Sequence, residues 1–466
     1  MPAKKNLAST IVMLLSVFAI ALPSSADTAN PPYRLPGGAA PYDDPFIAAG
    51  FRALFTCSAH FWAGRPLTDI VDIELLDTAP LGLPLPEIDA TRRLVSAADG
   101  EGRTRIAAFR DSMGCTLLPP HWSEADIPKL PYVSLPPIPD MADKPFPQGD
   151  KARPRPNRSQ KALLKKAFDG TTYGDGTITA GVVLIKDGEI IAESYRPGFG
   201  IHSGYRTWST AKSVSASLIA IAVKQGLLDL DQPAPVPEWQ AAGDPRAAIT
   251  VNHLLWMSSG LWGQGNNTNA VYFGGQDVVS GATTTHLEAA PNSRWKYANN
   301  DTLLLLRALR HVLGNDLAYL RYPYDELLHK IGMFHTRMET DHLGNFIGSS
   351  QVYTTARDLG RLGLLYLNDG VWQGQRVLPE GWTEFVATPA PSRPPEANVR
   401  GYGAQFWLYG TFDGIPAGTY TTAGNKGQLS TIVPEHNLVI VRTGVDPQGH
   451  RWNHVQFIRD VLDTLD

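Results

Sequence analysis

Ser209-Thr-Ala-Lys212, followed at once by the apolar run from Ser213 to Leu228, is the stretch on which the reading of this chain turns. Residues three apart share one face of a helix, so Ser209 and Lys212 meet across a turn, with Ser209 near the helix start. Val214, Leu218, Ile219, Ile221, Ala222 and Val223 make the run apolar nearly all round, which predicts a buried helix over Ala211 to Leu228. A serine hydroxyl is a poor nucleophile at neutral pH and needs a neighbour to take its proton. A lysine can do so when its charged form is disfavoured, and burial together with the positive end of the helix dipole supplies that bias. The pattern is short. A second copy, Ser293-Arg-Trp-Lys296, comes after Pro291-Asn292 and reads as a loop, so the wider sequence has to carry the assignment.

The chain of 466 residues carries 41 basic and 45 acidic side chains, a net charge of −4. That balance gives no electrostatic footprint for nucleic acid and no basic block for a membrane surface. Residues 1 to 26 stand apart: Lys4 and Lys5, an apolar run from Ile11 to Leu22, then Ser24-Ser25-Ala26. This is the pattern of a secretory signal peptide, with an uncleaved anchor as the alternative, and it predicts a periplasmic or secreted protein with no stable membrane span after signal removal. In an oxidising compartment the two cysteines, Cys57 and Cys115, read as one disulfide, with two buried free thiols as the alternative.

Residues 27 to 118 form an N-terminal segment of their own, with a helix over Pro45 to Trp62 and a strand over Thr104 to Phe109. The stretch 119 to 157 is rich in proline and reads as an extended linker that wraps the next domain. From 158 to 466 runs that second domain. It opens with a helix at Ala162 to Phe168 and a hairpin, Ala180 to Lys186 and Glu189 to Tyr195, turned on Asp187-Gly188. It closes with a hairpin, Leu429 to Val433 and Leu438 to Thr443, and a helix from Trp452 to Leu465. Between them the pattern is helical, at Ala211 to Leu228, Val251 to Met257, Thr302 to Val312 and Ala356 to Leu367. Strands at both ends with helices between predict an α+β fold: one antiparallel sheet flanked by helices, with a helical subdomain inserted.

Three boxes in order, Ser209-x-x-Lys212, Tyr297-Ala-Asn299 eighty-eight residues after Ser209, and Thr422-Ala-Gly424-Asn-Lys-Gly427-Gln428 on a late strand, resemble the serine β-lactamase and penicillin-recognising hydrolases. The likeness covers about residues 158 to 466 and is to the class C-like branch that holds carboxypeptidases, esterases and 6-aminohexanoate-dimer hydrolase. It implies a β-lactamase/transpeptidase-like fold in which Ser209 is acylated, Lys212 is its base and Tyr297 relays a proton to the leaving group. Asn299 would hold Lys212. The oxyanion hole would be the backbone N–H groups of Ser209 and Asn425, with Gly424 and Gly427 letting substrate approach the strand edge.

The chain departs from the penicillin-recognising pattern at Thr422, where those enzymes carry a cation. Lys426 is the nearby candidate for that charge. The Gly424-x-x-Gly427-Gln428 form is similar to the dimer-hydrolase-like branch, which ranks an ester or amide hydrolase above a β-lactamase or D-Ala-D-Ala carboxypeptidase. A penicillin-fold binding protein with an idle site is the alternative outside enzymes. The expected partner is a small-molecule ester or amide.

Trp208, Trp256, Trp262, Tyr272, Phe273, Tyr402, Trp407 and Tyr409 flank the boxes, and of these Tyr272 is the candidate substrate contact. His450 and His454, four apart, lack a third ligand in sequence and read as a surface pair, so no metal and no cofactor are expected. Neither G-x-S-x-G nor a dinucleotide or P-loop fingerprint occurs.

Overall fold

A computed structural model describes residues 44 to 263 and 267 to 465. The signal-peptide reading of residues 1 to 26 lies outside them. The central element is a seven-stranded antiparallel sheet in the order Gly401–Tyr402, Trp407–Leu408, Tyr420–Gly424, Gln428–Val433, Leu438–Gly444, Thr179–Lys186, Glu189–Tyr195. Its two sequence-distant halves join where Leu438–Gly444 pairs with Thr179–Lys186. The turn of the first hairpin is dictated by its residues: Asp187 and Gly188 both take positive φ, 53° and 84°, in the two-residue loop closed by Lys186 and Glu189.

Strand alternation divides the core in two. Val183 and Ile185 face one cluster, and Val182 and Leu184 face the other, so the strand is apolar throughout rather than alternating. On the first face lies the helix Ala356–Leu367, drawn close by its glycines: a Cβ at Gly360 would stand 2.6 Å from Ile185 Cδ1, and one at Gly363 2.5 Å from Val439 Cγ1. On the second face lie Arg158–Ala167 and His454–Leu462, which contribute Leu163, Leu164, Phe457, Ile458 and Val461. The inserted helices include Ala211–Lys224, Asn267–Gly274 and Asn299–Leu313. This is the expected α+β architecture.

The buried helix is shorter than its apolar run, because Gly226 at φ 71° ends it soon after Lys224. The N-terminal segment holds more than the expected helix and strand. Pro45–Cys57 packs on a four-stranded antiparallel sheet, Glu87–Asp89, Leu94–Ala98, Thr104–Arg110 and Gly114–Leu117. Cys57 and Cys115 form the disulfide, tying that helix to the last strand. Phe51, Phe55 and Val95 from this segment belong to the same core as Val214 and Leu304. The stretch 119 to 157 carries a short 3-10 helix, Glu124–Lys129, and is tied to the sheet-packing helix: Arg361 donates to the carbonyls of Pro147 and Gly149, at 2.9 and 2.7 Å.

Candidate active site

Ser209 sits in a single tight turn, Trp208–Thr210, immediately before the helix Ala211–Lys224. Trp208 takes φ 49°, a left-handed conformation that is uncommon for a bulky residue and turns the chain sharply ahead of the serine. Two anchors hold the turn. Thr207 donates from its N–H and its Oγ1 to the carbonyl of Val352, at 2.8 and 2.9 Å, and Thr210 Oγ1 donates to the carbonyl of Gln428 at 3.0 Å.

Lys212 is fully buried, and its Nζ reaches three oxygens: Ser209 Oγ at 3.3 Å, Asn299 Oδ1 at 2.5 Å and the carbonyl of Ser349 at 2.8 Å. Burial pushes its pKa down to about 7, and the carboxylate of Asp301 pulls the other way. The geometry suits both protonation states. An ammonium donates to all three oxygens. A neutral amine keeps two N–H groups for Asn299 and Ser349, two acceptors with no proton to give, and turns its lone pair to the hydroxyl of Ser209.

Tyr297 completes the group. The centre of its ring is 5.1 Å from Lys212 Nζ, and burial raises its phenol while the Ser209 hydroxyl and the charge of Arg400 act to lower it. Around it stand Trp295, Tyr402 and Trp407, with ring centres 6.5, 5.8 and 5.4 Å from that of Tyr297. The second S-x-x-K, Ser293 to Lys296, lies in the irregular segment before this tyrosine, with Lys296 Nζ 3.8 Å from Glu288.

Gly424 ends its strand against the serine turn; a Cβ there would stand 2.0 Å from the carbonyl oxygen of Thr207 and 3.1 Å from the nitrogen of Thr210. Asn425 is exposed and opens a turn, Asn425–Gly427, rather than extending the strand. Gly427 takes φ 79°, and a Cβ on it would meet Arg442 Nη1 at 1.6 Å. Lys426 does not turn into the site. It is ion-paired with Asp77 of the N-terminal segment, and Thr422, at the position of the penicillin-recognising cation, is buried with its Oγ1 accepting from the N–H of Ser430 at 3.1 Å.

Tyr272 is buried, and its hydroxyl is hydrogen-bonded to Ser349 Oγ, on the residue whose carbonyl accepts from Lys212. It therefore stands one residue behind the lysine. The other aromatic candidates divide: Tyr402 and Trp407 line the Tyr297 side, Trp208 packs on Phe55 of the N-terminal helix at 5.4 Å, and Trp256 packs on Phe385 at 5.8 Å. His450 and His454 are not a surface pair. His450 is exposed, whereas His454 is buried and its Nε2 shares a hydrogen bond with Thr431 Oγ1 at 2.7 Å, because the last helix turns it toward the sheet.

Two groups escaped the sequence reading. Ser349 acts through its backbone carbonyl, for which no residue type is a signal. Asp301 lies just outside the expected helix Thr302 to Val312, but the helix begins at Asn299 and buries this carboxyl in its first turn, accepting from Ser259 Oγ at 2.8 Å, with its pKa raised to about 7 by burial.

Asp150, His202 and His335 bring three possible metal-ligand atoms within 4.8 Å of one another. The two imidazoles stack at 4.1 Å with 17° between planes, so their in-plane lone pairs run side by side instead of converging, and Asp150 already serves His202 and Arg361. The cluster is a seam between the 119 to 157 stretch and the sheet domain.

Comparison with known proteins gives the family. The Beta-lactamase family description matches residues 164 to 444, the span that holds the sheet, the inserted helices and all three boxes. The chain belongs to the Beta-lactamase family. It is similar to 6-aminohexanoate-dimer hydrolase of Paenarthrobacter ureafaciens, at 25% identity over 66% of this chain and 83% of that protein. In fold it is similar to a putative 6-aminohexanoate-dimer hydrolase from Bacillus anthracis, with a TM-score of 0.55 and 20% identity over 68% of this chain and 87% of the other. It also resembles a family VIII carboxylesterase, with a TM-score of 0.54 and 13% identity over 67% and 98% of the two chains. This Beta-lactamase family member is a serine-hydrolase-type enzyme.

Proposed function

We propose that the protein is an exported hydrolase that cleaves an ester or amide through an acyl-enzyme on Ser209. The contact of Lys212 with Ser209, Asn299 and the carbonyl of Ser349 carries the reading. With Lys212 neutral, Ser209 Oγ attacks the substrate carbonyl carbon while its proton passes to Nζ. The carbonyl π pair moves onto oxygen, where the N–H groups of Ser209 and Asn425 receive the charge. As the intermediate collapses, the bond to the leaving atom breaks and that atom takes a proton from Tyr297, which regains one from Lys212. Water then attacks the acyl carbon with the same groups in reverse, freeing the acid and Ser209.

Burial of Thr422 and capture of Lys426 by Asp77 leave the third box without the cation of penicillin-recognising enzymes, which supports an ester or amide substrate over a β-lactam. The N-terminal segment and the 119 to 157 stretch are read as one covering layer on the hydrolase domain.

The test is turnover of p-nitrophenyl butyrate, the linear 6-aminohexanoate dimer and nitrocefin by wild type and Ser209→Ala. Ester or dimer hydrolysis that falls on the order of 10⁵-fold in the variant is expected. Rapid nitrocefin hydrolysis, or full activity without Ser209, would overturn the reading.

A further inference from the structure

Each of the two backbone donors in the proposed mechanism has a neighbour in a costly conformation. Trp208, just before Ser209, and Lys426, just after Asn425, both take left-handed φ, 49° and 57°. Neither is a glycine, and a bulky side chain keeps that conformation only where its surroundings impose it. The N-terminal segment reaches both. Phe55 packs on Trp208 with ring centres 5.4 Å apart, and the guanidinium of Arg206 lies over the two rings at 4.2 and 5.0 Å. Asp77 takes Lys426 in an ion pair shut off from solvent, with the lysine side chain 7% exposed and the aspartate 4%. The pair is fixed at both ends: Asp77 Oδ1 accepts from the N–H of Gln448 at 2.8 Å, and Lys426 Nζ donates to the carbonyl of Asp446 at 3.4 Å. On the far side of the same turn, Arg442 donates to the carbonyl of Gly427 at 3.2 Å and is paired with Asp446 at 2.7 Å.

We infer that Asp77, outside the family's span, is a positioning residue for the reaction: by holding the Lys426 ammonium it keeps the middle of the turn Asn425–Gly427 left-handed, and so keeps the N–H of Asn425 in place for the oxyanion. The inference rests on the proposed mechanism, in which the N–H groups of Ser209 and Asn425 receive the charge of the tetrahedral intermediate. Such a donor works by being in place before the charge forms. Asn425 is exposed on a three-residue turn and has little packing of its own to fix it. Well-packed apolar side chains often fill the space of a buried ion pair without loss of stability, so what the pair of Asp77 and Lys426 adds is a fixed direction. Phe55 does by packing for Trp208 what Asp77 does by charge for Lys426.

The experiment follows hydrolysis of p-nitrophenyl butyrate by wild type, Asp77→Asn and the double variant Asp77→Asn/Lys426→Met, and its inhibition by phenylboronic acid, to whose boron Ser209 Oγ adds to give a tetrahedral anion. Asp77→Asn should lower kcat by about ten- to a hundred-fold with KM moved by less than about threefold, and Ki for the boronic acid should rise as kcat/KM falls. The double variant buries no unpaired charge and should regain the Tm that Asp77→Asn loses, while kcat and boronate affinity stay low. It also carries the test if Asp77→Asn alone fails to fold. Wild-type kcat and boronate affinity in the double variant, or a Ki that stays put while Tm falls, overturns the inference. Should wild type neither turn over the ester nor bind the boronic acid, the failure lies with the reading of Ser209, and hydrogen exchange still decides. Amides of residues 425 to 427 that exchange faster in the double variant than in wild type, with those of the helix Ala211–Lys224 unchanged, uphold the hold of Asp77 on the turn. Equal exchange sinks it.

Discussion

Lys212 and Asp301 lie in each other's field in the buried floor of the site, and burial drives the ammonium down and the carboxyl up until both titrate at about 7. Neither has a full counter-charge in hand. Lys212 donates to neutral oxygens, and Asp301 accepts from a serine while its Oδ2 has no hydrogen-bond partner. Near neutral pH each therefore titrates in the field of the other.

For catalysis this fixes a sign. The neutral amine is the form able to take the serine proton, so kcat/KM should rise with pH along an acid limb centred at about 7. Asp301→Asn removes the charge that favours the ammonium, and the limb should move to lower pH. A pH-rate profile of both proteins checks this; a limb that stays in place would show that Asp301 does not act on the lysine.

Glu339 offers a stability experiment away from the chemistry. It accepts from Ser58 Oγ at 2.6 Å and from the N–H of Cys115 at 3.0 Å, and burial raises its pKa to about 7 from an ordinary 4.5. The folded state then holds a proton that the unfolded chain has lost, and stability falls as pH rises from below 4.5 through 7. Glu339→Gln cannot lose that proton. Its Tm should stay close to wild type at about pH 4 and exceed it at about pH 8, by on the order of a few degrees.

Gly424 is where a single carbon should separate strand from nucleophile. A Cβ 2.0 Å from the carbonyl of Thr207 cannot be accommodated without moving the strand or the serine turn. Gly424→Ala should lose activity by about 10²-fold or more, the scale of one displaced oxyanion donor, at a cost in Tm that circular dichroism will read. Retained activity would mean that this strand end does not form part of the site.

The disulfide closes a loop of 58 residues, and replacing both Cys57 and Cys115 by serine should cost up to roughly 4 kcal/mol by the chain-entropy argument. Urea titration of the oxidised and double-serine proteins measures it. Equal midpoints would assign the fold of this segment to packing alone.

What could be read from the sequence was what is local. Asp187-Gly188 fixes its hairpin through the backbone freedom of two adjacent residues, and Ser209 and Lys212 meet because one turn of chain separates them. The apolar run after Lys212 announced a buried helix, although Gly226 sets its end. The remainder depends on distant partners. Nothing near Lys426 in sequence says that Asp77 will hold it, and nothing about Ser349 marks its carbonyl as a ligand for lysine, since any residue supplies a carbonyl. Asp301 is an ordinary acidic residue beside a helix start in sequence, and only its burial among the helices sets it in the field of Lys212. His454 failed for a related reason: a histidine four residues after another says nothing about which face of its helix meets the sheet.

Arg105 Nη1 donates to the carbonyl of Phe273 at 2.8 Å, and Gly50 lies so near that carbonyl that a Cβ would stand 2.0 Å from it. Phe273 is the neighbour of Tyr272, which leans on Ser349, which holds Lys212. A shortened protein starting at residue 158 would still hold the family's span of 164 to 444 yet lose this buttress, strip Lys426 of its counter-ion, and leave Glu339 without Ser58 and Cys115. Cloning boundaries drawn at the family limits would therefore yield a fragment whose nucleophile is intact in sequence but whose lysine has lost its backing.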